Sequence, residues 1–299
     1  MAKQRHMRRL LEIVSAVATL ALGSGAQPVT AGGMIQIVAA ENFYGDLAAQ
    51  IGGNHVAVTS ILANPDEDPH LFESTPSTAR TLATADIILY NGAGYDAWME
   101  RLLSAGGTPG RTTLVAADIA GRSNGDNPHV WYDPATFPAV AAALAAELAK
   151  RDPADAAEFS ANLEGFDQSF AAATADVAGI RAAHAGTKVT ATEPVFGYMV
   201  EAMGLDMLNQ RFQLATMNET EPSASDVAAF EDSLKSGSVK VMFYNSQVTD
   251  DTTMRLLDLA RLANVPLVGV TETMPAGQTI QSWFAAQLAA VAAALGNSK

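Results

Sequence analysis

Apolar and polar positions along this chain follow two periodicities that take turns. Short apolar runs rich in β-branched residues at 35–39, 56–61, 86–90 and 113–116 read as strands, and residues 43–51 read as the helix after the first of them. Alternation of this kind predicts a mainly parallel sheet covered by helices. The layout then recurs, with strands expected over 188–192, 239–244 and 266–270 and helices over 195–203, 223–236, 251–263 and 280–295. Ser223 and Asp226, three residues apart after Pro222, form a helix start of the capping-box kind. Between the two sets, residues 135–150 are rich in Ala, Leu and Glu, and Asp152-Pro153 punctuates them. From Pro153 to about residue 183 the chain is almost free of breakers, and Phe159, Leu163, Phe166 and Phe170 recur at helical spacing. A helix of that length extends on the order of 45 Å. The expectation is an α/β protein of two (βα) lobes with mainly parallel sheets, joined by one long rigid helix. The lobes are placed at 32–152 and 187–299 and the connecting helix at 153–186. Ligands of open α/β sheets bind beyond the carboxyl ends of strands, so the loops after the strands are where chemistry is sought.

The amino terminus reads as an address. Lys3, Arg5, Arg8 and Arg9 precede a short apolar stretch over residues 13–22, too short to cross a bilayer of ~30 Å as a helix. Gly23, Gly25 and Pro28 break it, and Val29-Thr30-Ala31 offers small residues for cleavage, so residues 1–31 are expected to be a signal peptide. With no cysteine in the chain there is no lipid-anchor site, no disulfide and no thiolate ligand. The expected location is periplasmic, as a soluble exported protein. A formal net charge of −14 argues against nucleic acid as a partner, because phosphate binding needs a basic face. Binding must rest on nitrogen and oxygen.

Of the five histidines, His6 leaves with the signal. His55 follows a Gly-Gly-Asn turn and His184 sits at the expected end of the long helix, where ordinary surface roles account for both. His70 lies in an acidic, proline-punctuated loop after a strand, and His129 lies in Asn127-Pro128-His129-Val130-Trp131. Glu193 and Glu272 each follow an apolar strand in the second half. Taken singly, each is as readily a surface histidine or a helix N-terminal acid. Taken together, two neutral imidazoles and two carboxylates offset the charge of a divalent ion and suit a borderline metal.

The chain resembles the cluster A-I solute-binding proteins that deliver zinc or manganese to ABC importers. The resemblance runs across almost the whole chain after residue 31. It is carried by Asp68-Pro69-His70, Asn127-Pro128-His129-Val130-Trp131, Glu193-Pro194-Val195-Phe196-Gly197-Tyr198, Glu221-Pro222-Ser223 and Val270-Thr271-Glu272, in the family's order. It implies two (βα) lobes bridged by a long helix, with the metal in the cleft held by His70, His129, Glu193 and Glu272. It also implies an ABC transporter membrane permease as partner, and a monomer is expected. Zinc members commonly carry His where this chain has Glu193, the fourth position is usually Asp rather than Glu272, and residues 120–127 lack the His-rich loop of many zinc members. The oxygen-rich set weights the expectation towards Mn2+ over Zn2+, with Fe2+ also admitted. Affinity is expected to fall as histidine protonates near its ordinary pKa of ~6.5. Phe72, Trp131, Phe196 and Tyr198 are either dry walls of the site or ordinary core aromatics.

Two other readings compete. A secreted metal-dependent hydrolase would use one glutamate as general base, but HExxH does not occur, and four protein ligands leave less room for a catalytic water than three do. An anion- or sugar-binding protein would need converging arginines, whereas Arg80, Arg111, Arg181 and Arg211 fall in different elements. The expectation is therefore not an enzyme.

Overall fold

Two four-stranded, all-parallel sheets of the same strand order carry the chain. The computed structural model describes residues 33–64, 69, 72–248 and 251–297; the signal-peptide reading of residues 1–31 and the candidate His70 lie outside them. The first lobe runs β1 (Ile35–Glu41), α1 (Asn42–Gly52), β2 (Val56–Leu62), α2 (Pro76–Ala83), β3 (Ile87–Tyr90), α3 (Ala97–Ala105), β4 (Thr112–Val115), α4 (Ala116–Ile119) and α5 (Thr136–Arg151). The long helix α6 (Ala156–His184) follows. The second lobe runs β5 (Lys188–Ala191), α7 (Gly197–Ala202), β6 (Asp206–Met207), α8 (Gln210–Met217), α9 (Ala224–Lys235), β7 (Met242–Asn245), α10 (Asp251–Leu262), β8 (Leu267–Val270) and α11 (Ile280–Asn297). The sheet orders are β2-β1-β3-β4 and β6-β5-β7-β8. Pairing is in parallel register throughout, with Ala39 opposite both Ser60 and Leu89, and Asn245 opposite Val270. In each sheet the order reverses beside the first strand, between β1 and β3 and between β5 and β7. Those are the points at which a crevice opens.

Helices α2, α3 and α8 were not anticipated from sequence, and each is short. Thr75 caps α2 reciprocally with Thr78, and Pro76 takes the first-turn position where its missing N–H costs nothing. The expected strand over 239–244 narrows to β7, and the expected helix over 195–203 opens with a 3-10 turn at Pro194–Phe196.

The 29 residues of α6 extend about 44 Å at the standard helical rise. Phe159, Phe166, Phe170, Ala173, Val177 and Ile180 form its buried stripe, at alternating steps of seven, four and three. A single apolar cluster joins this stripe to Phe43 and Leu47 of α1, Phe137 and Leu144 of α5, Val189 and Phe243 of the second sheet, and Trp283, Phe284 and Leu288 of α11. The core is therefore shared between the lobes. Among the described residues no helix is long and apolar enough to cross a membrane.

The amino end of α6 is tied to the first lobe through His55. Its Nδ1 lies 3.0 Å from Asp155 and its Nε2 3.0 Å from Glu158. Hydrogen bonding to Glu158 leads the effects that raise its pKa above 6.5, with the charges of Asp155, Glu158 and Asp152 adding to it. Both ring nitrogens can donate only when the imidazole is protonated. The folded state then holds the proton more tightly than the unfolded chain, so the stabilisation is complete below pH ~6.5 and fades as pH rises through the higher folded value. His55→Ala should lower the melting temperature at pH 5.5–6 and have little effect above pH 8. Equal effects at both ends of a pH series of thermal melts would contradict this.

Candidate functional site

Each sheet ends, on its carboxyl side at the order reversal, in a glutamate and an asparagine. In the first lobe these are Glu41, the last residue of β1, and Asn91, directly after β3. In the second they are Glu193, two residues after β5, and Asn245, the last residue of β7.

The first pair is closed off. Asn91 accepts from the Tyr44 hydroxyl (2.9 Å) and donates to the carbonyls of Gly92 (2.9 Å) and Pro128 (2.7 Å). Asp96 accepts the backbone N–H groups of Asn91 (2.7 Å) and Gly92 (2.8 Å), which favours its ionised form. Burial nevertheless pushes Asp96 up to about 7. Glu41 is wholly buried and is raised well above the ordinary carboxyl range, by burial first and then by the charge of Asp96. The pair retains a proton that the unfolded chain would release, so it weakens the fold as pH rises above the ordinary carboxyl range. Glu41→Gln should raise the melting temperature, with a gain that grows from pH 5 to pH 8. A variant less stable than the parent at pH 8 would refute it.

The second pair is open to further chemistry. Asn245 donates through one Nδ2 to both Glu193 Oε2 (2.9 Å) and Glu272 Oε1 (2.6 Å). Its own Oδ1 accepts the Gln247 N–H (3.0 Å), which fixes which way the amide faces. Gln247 in turn accepts the N–H groups of Glu272 (2.6 Å) and Thr273 (3.2 Å) and donates to the Thr273 hydroxyl (2.7 Å), holding the loop after β8. Glu272 is wholly buried and Glu193 is 9% exposed.

His129 meets this group from the other lobe. Its Nε2 lies 3.6 Å from Glu272 Oε2, beyond hydrogen-bonding range, and the residue is 1% exposed. Its Nδ1 lies 2.6 Å from Asn127 Oδ1, and the Asn127 amide donates to the Pro194 carbonyl at 2.7 Å. An amide oxygen can only accept, so Nδ1 carries a proton, and in the neutral ring the Nε2 lone pair faces the cleft. Gly197 permits this: a Cβ there would stand 2.9 Å from Asn127 Nδ2. Tyr95 and Trp131 pack edge-to-face with the imidazole, with ring centroids 5.9 and 5.2 Å away. The Tyr95 phenol is raised by burial first and then by the charge of Glu272, so it stays a neutral donor beside that carboxylate.

Of the four sequence candidates, His129, Glu193 and Glu272 are thus gathered from two lobes, while His70 lies outside the described residues. Among the described residues only His55, Asp152 and Asp155 bring three ligand atoms within 4.8 Å of one another. Their imidazole is already engaged by Asp155 and Glu158 in the tie described above. The cleft set is wider than that, with the Asn245 amide standing between its two carboxylates. Asn245, Asn127 and Gln247 were not anticipated. The signal available for Asn245 was the one that singled out Glu193 and Glu272, a polar residue closing an apolar strand. Of the aromatics, Trp131 and Phe196 belong to the shared core, and Tyr198 donates to the Asn127 carbonyl (2.8 Å). Phe72 packs instead on Trp98 in a separate small cluster.

A family model described as ZnuA, zinc-uptake complex component A, periplasmic, matches residues 37–294. The chain belongs to the ZnuA family. Manganese-binding lipoprotein MntA of Bacillus subtilis (strain 168) is 30% identical over 172 residues, covering 54% of this chain and 56% of that protein. The high-affinity zinc uptake system protein ZnuA of Paracoccus denitrificans is 24% identical over 262 residues, covering 74% of this chain and 78% of that protein. The chain spans about half the length of the manganese-binding relatives it matches. In fold, the chain is similar to the periplasmic zinc binding protein TroA from Treponema pallidum, with a TM-score of 0.74, 22% identity, and coverage of 88% of this chain and 99% of that one. ZnuA-family membership and this fold agree with the two-lobed parallel architecture expected from sequence.

Proposed function

We propose that this chain is a periplasmic solute-binding protein that captures a divalent transition metal, Mn2+ or Zn2+, between its lobes and delivers it to an ABC permease. In this reading residues 1–31 direct export and the mature chain acts as a monomer. The metal is cargo, and no reaction is catalysed. His70, His129, Glu193 and Glu272 are the ligands. The observation that carries the reading is the convergence of an acceptor nitrogen and two carboxylates on one buried place. The Nε2 of His129 has its lone pair directed there by Asn127, and Glu193 and Glu272 are held side by side by Asn245. Two neighbouring buried carboxylates repel each other and lose hydration, costs that a divalent cation relieves. Hydrogen bonding of the far imidazole nitrogen is the usual support behind a metal-bound histidine. The names of the relatives, one manganese-binding and one for zinc uptake, support the same class of cargo. No observation favours a hydrolase.

The test is competition titration of the chelator-stripped, untagged chain with Mn2+, Zn2+ and Fe2+. One ion per chain with submicromolar affinity is expected, with a rise in melting temperature as the bound form is populated. A chain that takes up none of the three ions removes the reading.

A further inference from the structure

We infer that Tyr198 is a positioning residue for the cleft: through Asn127 it couples contact between the lobes to the orientation of His129. This rests on the metal-capture reading and goes beyond it. Tyr198 lies in α7 of the second lobe and is buried, and one loop of the first lobe grips it twice. The guanidinium of Arg122 lies 4.6 Å from the centre of its ring, and its hydroxyl donates to the Asn127 carbonyl at 2.8 Å. Arg122 is steadied there by Asp133 at 3.5 Å and by its own backbone N–H, which donates to the Ala117 carbonyl at 2.8 Å. Asn127 returns the contact, since its amide donates to the Pro194 carbonyl at 2.7 Å, one residue past Glu193.

The same asparagine aims the imidazole. Its Oδ1 accepts the backbone N–H of His129 at 3.2 Å and lies 2.6 Å from the ring Nδ1. Asn127 thus has its carbonyl and its amide N–H held by the second lobe, while its amide oxygen is spent on the histidine of the first. A phenylalanine at 198 would fill the same space beneath Arg122, so the hydroxyl is what this residue adds, and it is directed at Asn127. With the lobes in contact, His129 is held ready as a ligand. With α7 drawn back from the loop, Asn127 loses two anchors and the imidazole loses its fixed direction. Partners behind a metal-bound histidine act in this way, by fixing its ring. Retention of the ion is therefore tied to closure of this seam, and Tyr198 acts on the ion through Asn127 and His129.

The test is a double-mutant cycle on the chelator-stripped chain, read by competition titration with Mn2+ and Zn2+. Tyr198→Phe should weaken binding by about two- to tenfold, the worth of one hydrogen bond, and the loss should show as faster release to a chelator. In an Asn127→Ala background the same change should have almost no effect, because the link it feeds is already cut. A loss caused by general loosening of the fold would persist there, so the cycle separates positioning from structure. Arg122→Gln uncovers the ring without touching the hydroxyl. It should act in the same direction and fall silent in the same background, and it keeps the test available if Tyr198→Phe is too unstable to purify. A loss below twofold in the parent, or one that keeps more than half its logarithmic size in the Asn127→Ala background, overturns the inference while leaving metal capture intact. A parent chain that binds neither ion overturns both.

Discussion

Replacing His129 with alanine is expected to lower metal affinity far beyond the ~10–100-fold that loss of a supporting partner costs. In the metal-capture reading the imidazole is the nitrogen donor that the described residues bring to the cleft. Its ring is 1% exposed, bounded by Tyr95 and Trp131 and locked in one tautomer by Asn127. Neither carboxylate can substitute, because each is held in place by Asn245. Asn127→Ala provides the graded comparison: it keeps the ligand but removes the carbonyl that holds the proton on Nδ1, so its loss should stay within ~10–100-fold. Competition titration separates the two variants, and melting of the metal-free proteins shows whether either loss is one of folding. If His129→Ala bound its ion within threefold of the parent, the residue would leave the ligand set.

The second large effect is structural. Trp283→Ala should cost about 3–5 kcal/mol, the usual range for emptying a buried large aromatic site. At ~2–4 °C per kcal/mol, that lowers the melting temperature by roughly 10 °C. The indole stacks on Phe43 at 5.7 Å, meets Tyr132 at 5.4 Å and donates to the Thr271 hydroxyl at 3.1 Å. The Tyr132 hydroxyl donates to the Thr271 carbonyl at 2.6 Å, so two aromatics fix the residue directly before Glu272. Metal affinity should therefore fall along with stability. Trp98→Ala is the control, since Trp98 packs in the separate cluster with Phe72 and should lose stability with affinity preserved. A drop of less than about 3 °C for Trp283→Ala, measured by circular dichroism, would contradict the argument.

Much of this architecture was legible because parallel strands buried on both faces write themselves as apolar runs, and the helices that cover them carry wide apolar stripes. The long α6 was visible through its phenylalanines. Helices α2, α3 and α8 were not, because eight or nine residues hold too few turns for a periodic signal to stand out. At the site, Glu193 and Glu272 were found by their place after apolar strands. Asn245 satisfies the same rule but carries no charge, and a lone asparagine at a strand end usually means only a turn. The role of Gln247 depends on atoms it meets some 25 residues away, and Asn127, two residues before His129, holds that ring only because its own amide is fixed by the distant Pro194 carbonyl; no spacing records either. His129 was legible as a candidate, while its tautomer required the partner.

The apolar cluster that crosses from one sheet to the other has a consequence for how this molecule comes apart. Phe284 of α11 lies 5.7 Å from Phe137 and 5.4 Å from Phe170, and the Asn42 side chain exchanges two hydrogen bonds with the Met274 backbone. Neither half owns a complete interior. Denaturant should thus produce one sigmoidal transition rather than two, and a fragment ending before α11 would strip the opposite half of its seal.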